Sequence, residues 1–168
     1  DAFAANTTGE ENTVVGNLAL DANTTGSSNT AIGRQALSAN TTAHNNTAVG
    51  KAALAANTTG TDNVAVGRNA ADAITTSSYN VAIGGNALTA ATTGDGRNVA
   101  IGQGAMAATT TGAYNIGIGE SALGANTTGG SNTVMGATAG DSITTGSRNT
   151  LIGKDAGGGI TSQNDCVF

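Results

Sequence analysis

The sequence predicts an all-β fold, a parallel β-roll or β-helix solenoid built from 17-residue coils. Three observations carry that prediction. The first is a pattern, Asn-[Thr/Val/Ile]-x-[Ile/Val/Met]-Gly, headed by Asn12, Asn29, Asn46, Asn63, Asn80, Asn98, Asn115, Asn132 and Asn149. The second is its period: the separations are 17, 17, 17, 17, 18, 17, 17 and 17 residues, so one small unit is stacked on itself. The third is composition. Aromatics are 2%, charged residues 10% and Pro is absent, too few large side chains for an ordinary globular core. Low-complexity disorder would not place an aliphatic residue at the same point of every repeat.

With the repeat numbered from its Asn, columns two to four form a short strand. Column two is Thr13, Thr30, Thr47, Val64, Val81, Val99, Ile116, Thr133 and Thr150; column four is Val15, Ile32, Val49, Val66, Ile83, Ile101, Ile118, Met135 and Ile152. The two share a face, because side chains alternate along a strand. The always-apolar fourth column is the expected core contribution of this strand. Column three, mostly Ala (Ala31, Ala48, Ala65, Ala82, Ala100), points the other way, where small residues admit a close neighbour or are harmless in water.

Column five is Gly throughout: Gly16, Gly33, Gly50, Gly67, Gly84, Gly102, Gly119, Gly136 and Gly153. Glycine enters positive φ at no steric cost, so a sharp turn closes the strand here. Column eight is always Ala, from Ala19 to Ala156. Column nine is Leu20, Leu37, Leu54, Leu88 and Leu123, with Ala71, Met106, Gly140 and Gly157 as departures. This second apolar segment is too short for a helix to stand alone and is expected to be a second strand-like run. Thr-Thr-Gly then returns the chain to the next Asn, as in Thr24-Thr25-Gly26. The single 18-residue interval inserts one residue near Asp95-Gly96, which marks Thr-Thr-Gly-x-x as the tolerant turn.

Coils should rise by about 4.8 Å each, giving a rod roughly 45–48 Å long. Such thin coils hold little apolar area, so side-by-side association is expected, most simply a homotrimer. The column-one asparagines read as scaffold, through side-chain ladders or turn bonds. Residues 1–168 form a single repeat array. Its phase runs past both ends: Asp1–Gly9 matches columns seven to fifteen of a preceding repeat, and Cys166 stands in the Asn column of another. The expectation is a fragment of a longer fibre.

Charge and motif content exclude several functions. A net charge of -5 with only six basic residues argues against nucleic acid, which needs a basic stripe. No apolar run is long enough to insert in a membrane as a helix. His44 lies alone in the tolerant turn, and Asp21, Asp72 and Asp141 share column ten with whole coils between them. No paired carboxylates, metal-type Cys or His spacing, or calcium-roll pattern occurs, so neither enzyme activity nor a cofactor or metal is expected. Arg34, Lys51, Arg68 and Lys154 share column six as a loose basic edge that solubilises the rod. Asn-Thr-Thr at Asn6, Asn23, Asn40, Asn57 and Asn126 fits the glycosylation sequon but recurs because the repeat recurs.

Runs such as Asn46-Thr-Ala-Val-Gly50, Asn63-Val-Ala-Val-Gly67 and Asn98-Val-Ala-Ile-Gly102 resemble the head repeats of trimeric autotransporter adhesins. The longer phrase from Asn40-Thr-Thr to Asn46-Thr-Ala-Val-Gly-x-x-Ala-Leu is similar to repeats of phage tail fibres and related bacterial fibre proteins. The resemblance covers essentially the whole chain. It implies a left-handed parallel β-roll, a trimer, and surface attachment outside the cytoplasm, on a cell surface or virion. The 17-residue period and Thr-Thr-Gly turn, longer than the usual adhesin head repeat, favour the tail-fibre side.

The expected function is therefore an extracellular attachment fibre segment that mediates or spaces binding to a host-surface glycan or protein. Two alternatives stand beside it. One is a purely structural extracellular filament or stalk. The other is an ice-binding solenoid, prompted by the stacked Thr pairs that begin at Thr24, Thr41 and Thr58. Adjacent threonines in an extended chain face opposite sides, which does not write the flat array that ice requires.

Overall fold

The computed structural model describes residues 1–94 and 96–168. Nine three-residue strands follow one another: β1 (Thr13–Val15), β2 (Thr30–Ile32), β3 (Thr47–Val49), β4 (Val64–Val66), β5 (Val81–Ile83), β6 (Val99–Ile101), β7 (Ile116–Ile118), β8 (Thr133–Met135) and β9 (Thr150–Ile152). They form one parallel sheet in sequence order, each strand pairing with the next coil's strand column for column. The chain is thus a β-solenoid with one strand per coil, and the described residues contain no helix. A parallel pair needs a long crossover, and here the rest of each coil supplies it. The 18-residue interval leaves the ladder intact, since Val81 still pairs with Val99. Of the insertion placed near Asp95 and Gly96, Asp95 lies outside the described residues; Gly96 has φ +67°.

The strand faces the interior the opposite way from expectation. Column three is the buried one: Ala31, Ala48, Ala65, Ala82, Ala100, Val134 and Leu151 are fully buried. Column four points outward, with Val15 58%, Ile32 37% and Ile152 62% exposed. The reason is volume. The column-nine side chains Leu20, Leu37, Leu54, Leu88, Met106 and Leu123 fill the bore of the coil, which leaves room for Ala or Gly opposite most of them. At the first coil Val14 accompanies Leu20 and is only partly buried, whereas in the last two coils the strand residue grows and column nine shrinks. Val134 and Leu151 accompany Gly140 and Gly157, and a Cβ on Gly157 would lie 2.4 Å from Leu151 Cδ2. Where Ala71 replaces Leu, Ile74 fills the space from column twelve. This is close packing maintained layer by layer.

The expected second strand-like segment is instead a run of turns. Columns seven and nine are left-handed, as at Gln35 (φ 61°) and Leu37 (φ 51°), so the chain curls and swings the Leu inward. Left-handed geometry costs about 1–2 kcal/mol at each non-glycine residue. The burial of Leu and a backbone bond to the next coil, such as Leu37 N–H to the Ala53 carbonyl at 3.0 Å, offset it.

Candidate functional site

The scaffold columns come first, because they fix what the surface can present. From Asn29 to Asn149 the column-one asparagines are buried, and Asn12 is half-buried at the first coil. Each bonds in two directions. Asn46 Nδ2 donates to the Gly60 carbonyl at 2.9 Å, while Asn46 Oδ1 accepts from the Asn63 backbone N–H at 3.0 Å. Direct amide-to-amide bonds run between several coils, as from Asn132 to Asn115 at 3.0 Å. Each asparagine therefore satisfies a corner of its own coil and pins the next. Cys166 continues the column through its backbone, donating to Asn149 Oδ1 at 2.9 Å.

The column-five glycines are needed for two reasons, only one of which sequence showed. Their φ lies at +126° to +142° from Gly16 to Gly153. From Gly16 to Gly136 each also abuts the glycine of the next coil: a Cβ on Gly67 would sit 2.6 Å from the Gly84 carbonyl oxygen. No side chain fits that approach.

A second asparagine ladder escaped the sequence reading. Asn23, Asn40, Asn57 and Asn126 in column twelve are fully buried. Asn40 Nδ2 donates to Asn23 Oδ1 at 2.9 Å and to the Ala43 carbonyl at 3.2 Å. Burial closes these four amides to glycosylation in the folded chain. The signal available was the recurrence of Asn in this column where a solvent-facing turn residue would vary. The ladder stops where Ile74 and Ile143 follow, leaving Asn57 Oδ1 and Asn126 Oδ1 buried without a partner.

The column-thirteen threonines are likewise committed. The hydroxyls of Thr24, Thr41, Thr58, Thr75, Thr110, Thr127 and Thr144 donate to the same column's carbonyl one coil on, as from Thr58 to Thr75 at 3.0 Å and Thr127 to Thr144 at 2.9 Å. That carbonyl also takes two backbone N–H groups, from Thr58 and Thr59 in the case of Thr75.

Three outward surfaces remain. The first is the apolar stripe of column four with column two, running over all nine strands. The second is the column-seventeen ridge, where left-handed residues stack coil on coil. Asn45 Nδ2 donates to Asp62 at 3.2 Å, Arg97 lies between Tyr79 and Tyr114 at 5.1 and 5.4 Å from the ring centres, and Arg148 pairs with Asp165 at 2.7 Å. That pairing holds the Asp165 carboxyl below its ordinary range, chiefly through the Arg148 hydrogen bond. The third is column six, where Arg34, Lys51 and Arg68 are exposed on consecutive coils.

The residues considered for chemistry stay apart. His44 is exposed, and its Nδ1 accepts from the Ser27 N–H at 2.9 Å. Asp72 is partly desolvated by burial, which raises its pKa against two lowering backbone bonds. The described residues enclose no pocket and bring no three His, Cys, Asp or Glu side chains together as a metal cluster. Among the described residues no helix is long and apolar enough to cross a membrane. No family model, no curated protein and no solved structure matches this chain.

Proposed function

We propose that this rod is a segment of an extracellular attachment fibre, of a phage tail or a bacterial surface, that mediates or spaces binding to a host glycan or protein. It works as a homotrimer of left-handed coils. The observation that supports this most is the outward stripe of column four, apolar in every coil and 37% exposed at Ile32 and Ile83, 40% at Met135 and 62% at Ile152. Eight strand intervals make it about 38 Å long. A continuous apolar band of that length is unusual on a solitary soluble rod and marks an interaction face. A threefold axis parallel to the rod brings three such stripes together in register and covers all of them. The polar ridges then face outward on three sides, so weak contacts repeat along and around the fibre and combine by avidity.

Two measurements test this. Sedimentation should give a trimer for the wild-type chain and a monomer for Ile83→Lys with Ile101→Lys, both with the same far-UV spectrum. A wild-type monomer at micromolar concentration would sink the assembly. For the role itself, these coils are removed from the full-length fibre and attachment to host surfaces is scored. Unchanged attachment at equal fibre length would leave a structural stalk. Thermal hysteresis in the wild-type chain would point to ice binding instead, which the committed threonine hydroxyls of column thirteen disfavour.

A further inference from the structure

Three exposed cations stand in one line on this rod. Arg34, Lys51 and Arg68 occupy column six of consecutive coils, and half of the six basic residues are in this one row. Backbone bonds keep the row straight: the N–H groups of Ala52, Asn69 and Asn86 donate at 2.9 Å to the carbonyls of Arg34, Lys51 and Arg68. Their Cα atoms are therefore about one strand spacing apart, ~4.8 Å. Among the described residues none of the three makes an ion pair, whereas Arg148 pairs with Asp165 and Lys154 with Asp155. Columns six and seven contain no acid through the first six coils. Folding gains nothing from like charges set side by side, so the row is not explained by the scaffold.

Beside it lies an interrupted row of amides. Gln35 and Asn69 follow Arg34 and Arg68 in column seven, Asn86 stands one coil further on, and Ala52 follows Lys51. The three amides are half-buried, their left-handed backbones are fixed by equivalent bonds to the preceding coil, and Asn69 Nδ2 donates to Asn86 Oδ1 at 3.5 Å. Three cations in a straight line, two of them followed by an amide, match an extended chain that carries anionic groups and hydroxyls along its repeat. We infer that this edge, from Arg34 to Asn86, is a binding site for an acidic polysaccharide, with the guanidinium and ammonium groups on its carboxylates and the amides on its hydroxyls. Arginine takes a carboxylate through two parallel N–H bonds, and the amides supply sugar selectivity that charge alone lacks. The inference names the ligand class of the attachment reading and rests on it for biological meaning, but the binding itself is measured on the soluble chain.

The test measures binding to immobilised polygalacturonate, with dextran as the neutral polymer and a single-stranded polynucleotide as the non-sugar polyanion, at low and at physiological salt. Wild type should prefer polygalacturonate to both. Arg34→Gln with Lys51→Gln should weaken it by roughly tenfold and flatten its salt dependence, as expected when released counterions are lost. Arg148→Gln with Lys154→Gln imposes the same charge change at the far end and should leave affinity unchanged. Equal loss in both double variants, equal binding to dextran, or equal binding to the polynucleotide would each overturn the inference. Failure here leaves the fibre-deletion result untouched, and unchanged attachment after deletion leaves this binding result untouched.

Discussion

The volume exchange between strand and bore makes a sharp prediction at Gly117. Column three is Ala or larger in every other coil, but coil seven has Gly117 beneath Met106 of the coil before. A Cβ added to Gly117 would lie 2.7 Å from Met106 Cγ, 3.1 Å from its Sδ and 3.3 Å from the Ala122 carbonyl. Carbon contacts are comfortable at about 3.5–4.0 Å, so Met106 must move by most of an ångström in a filled bore. Gly117→Ala alone should therefore cost about 1–2 kcal/mol, although alanine is the better strand residue by roughly 0.5–1 kcal/mol. Met106→Leu alone should cost up to about 1.5 kcal/mol, because leucine leaves the space above Gly117 unfilled. Together the two changes rebuild the Ala-over-Leu layer seen for Ala48 and Leu37, and for Ala100 and Leu88. The double variant should match or slightly exceed wild type, a coupling of roughly 1.5–3 kcal/mol. Urea unfolding followed by far-UV circular dichroism on all four chains measures it. Additive losses in the double variant would refute the idea that facing columns share one fixed volume.

Other perturbations follow from the same geometry. Asn40→Ala should lose about 1–3 kcal/mol more stability in urea than Asn57→Ala, because it leaves two buried oxygens unpartnered, on Asn23 and Asn57, where Asn57→Ala leaves only that of Asn40. At Gly153 an added Cβ meets nothing within 4 Å, so Gly153→Ala should cost only the backbone strain of about 1–3 kcal/mol, while Gly67→Ala adds a further 1–3 or so against Gly84; melting temperatures should rank accordingly. Burial raises the folded-state pKa of Asp72 above its ordinary 3.8, so its ionised form weakens the fold once pH exceeds that value. Asp72→Asn should therefore stabilise the chain at neutral pH, and the gain should vanish as pH falls below 3.8; a gain that is unchanged there would be inconsistent with desolvation as the cause.

Much of the fold was legible because repetition multiplies each weak signal. One Asn-Thr-Ala-Val-Gly run says little, but nine at near-constant spacing leave parallel stacking as the economical solution, and the strands duly pair column for column. The Gly turn was readable from backbone conformation alone. The functional surfaces were less legible. The basic row of Arg34, Lys51 and Arg68 was visible as a column, but not that it stays unpaired beside Gln35 and Asn69. The asparagines at 23, 40, 57 and 126 read only as a sequon that recurs with the repeat, and burial makes them a second internal ladder.

Sequence by itself determined the coil, its period, its parallel stacking and the Gly turn that closes each strand. It could not determine which side of each strand faces inward. Alternation assigns columns two and four to one face and column three to the other, yet it is symmetric between inside and outside. Only the tertiary structure broke that symmetry, through the left-handed turns at columns seven and nine that aim Leu into the bore. Once the bore is full, alanine fits within and the large aliphatics must stand outside. The same packing that closes each coil thus leaves an apolar stripe along the rod.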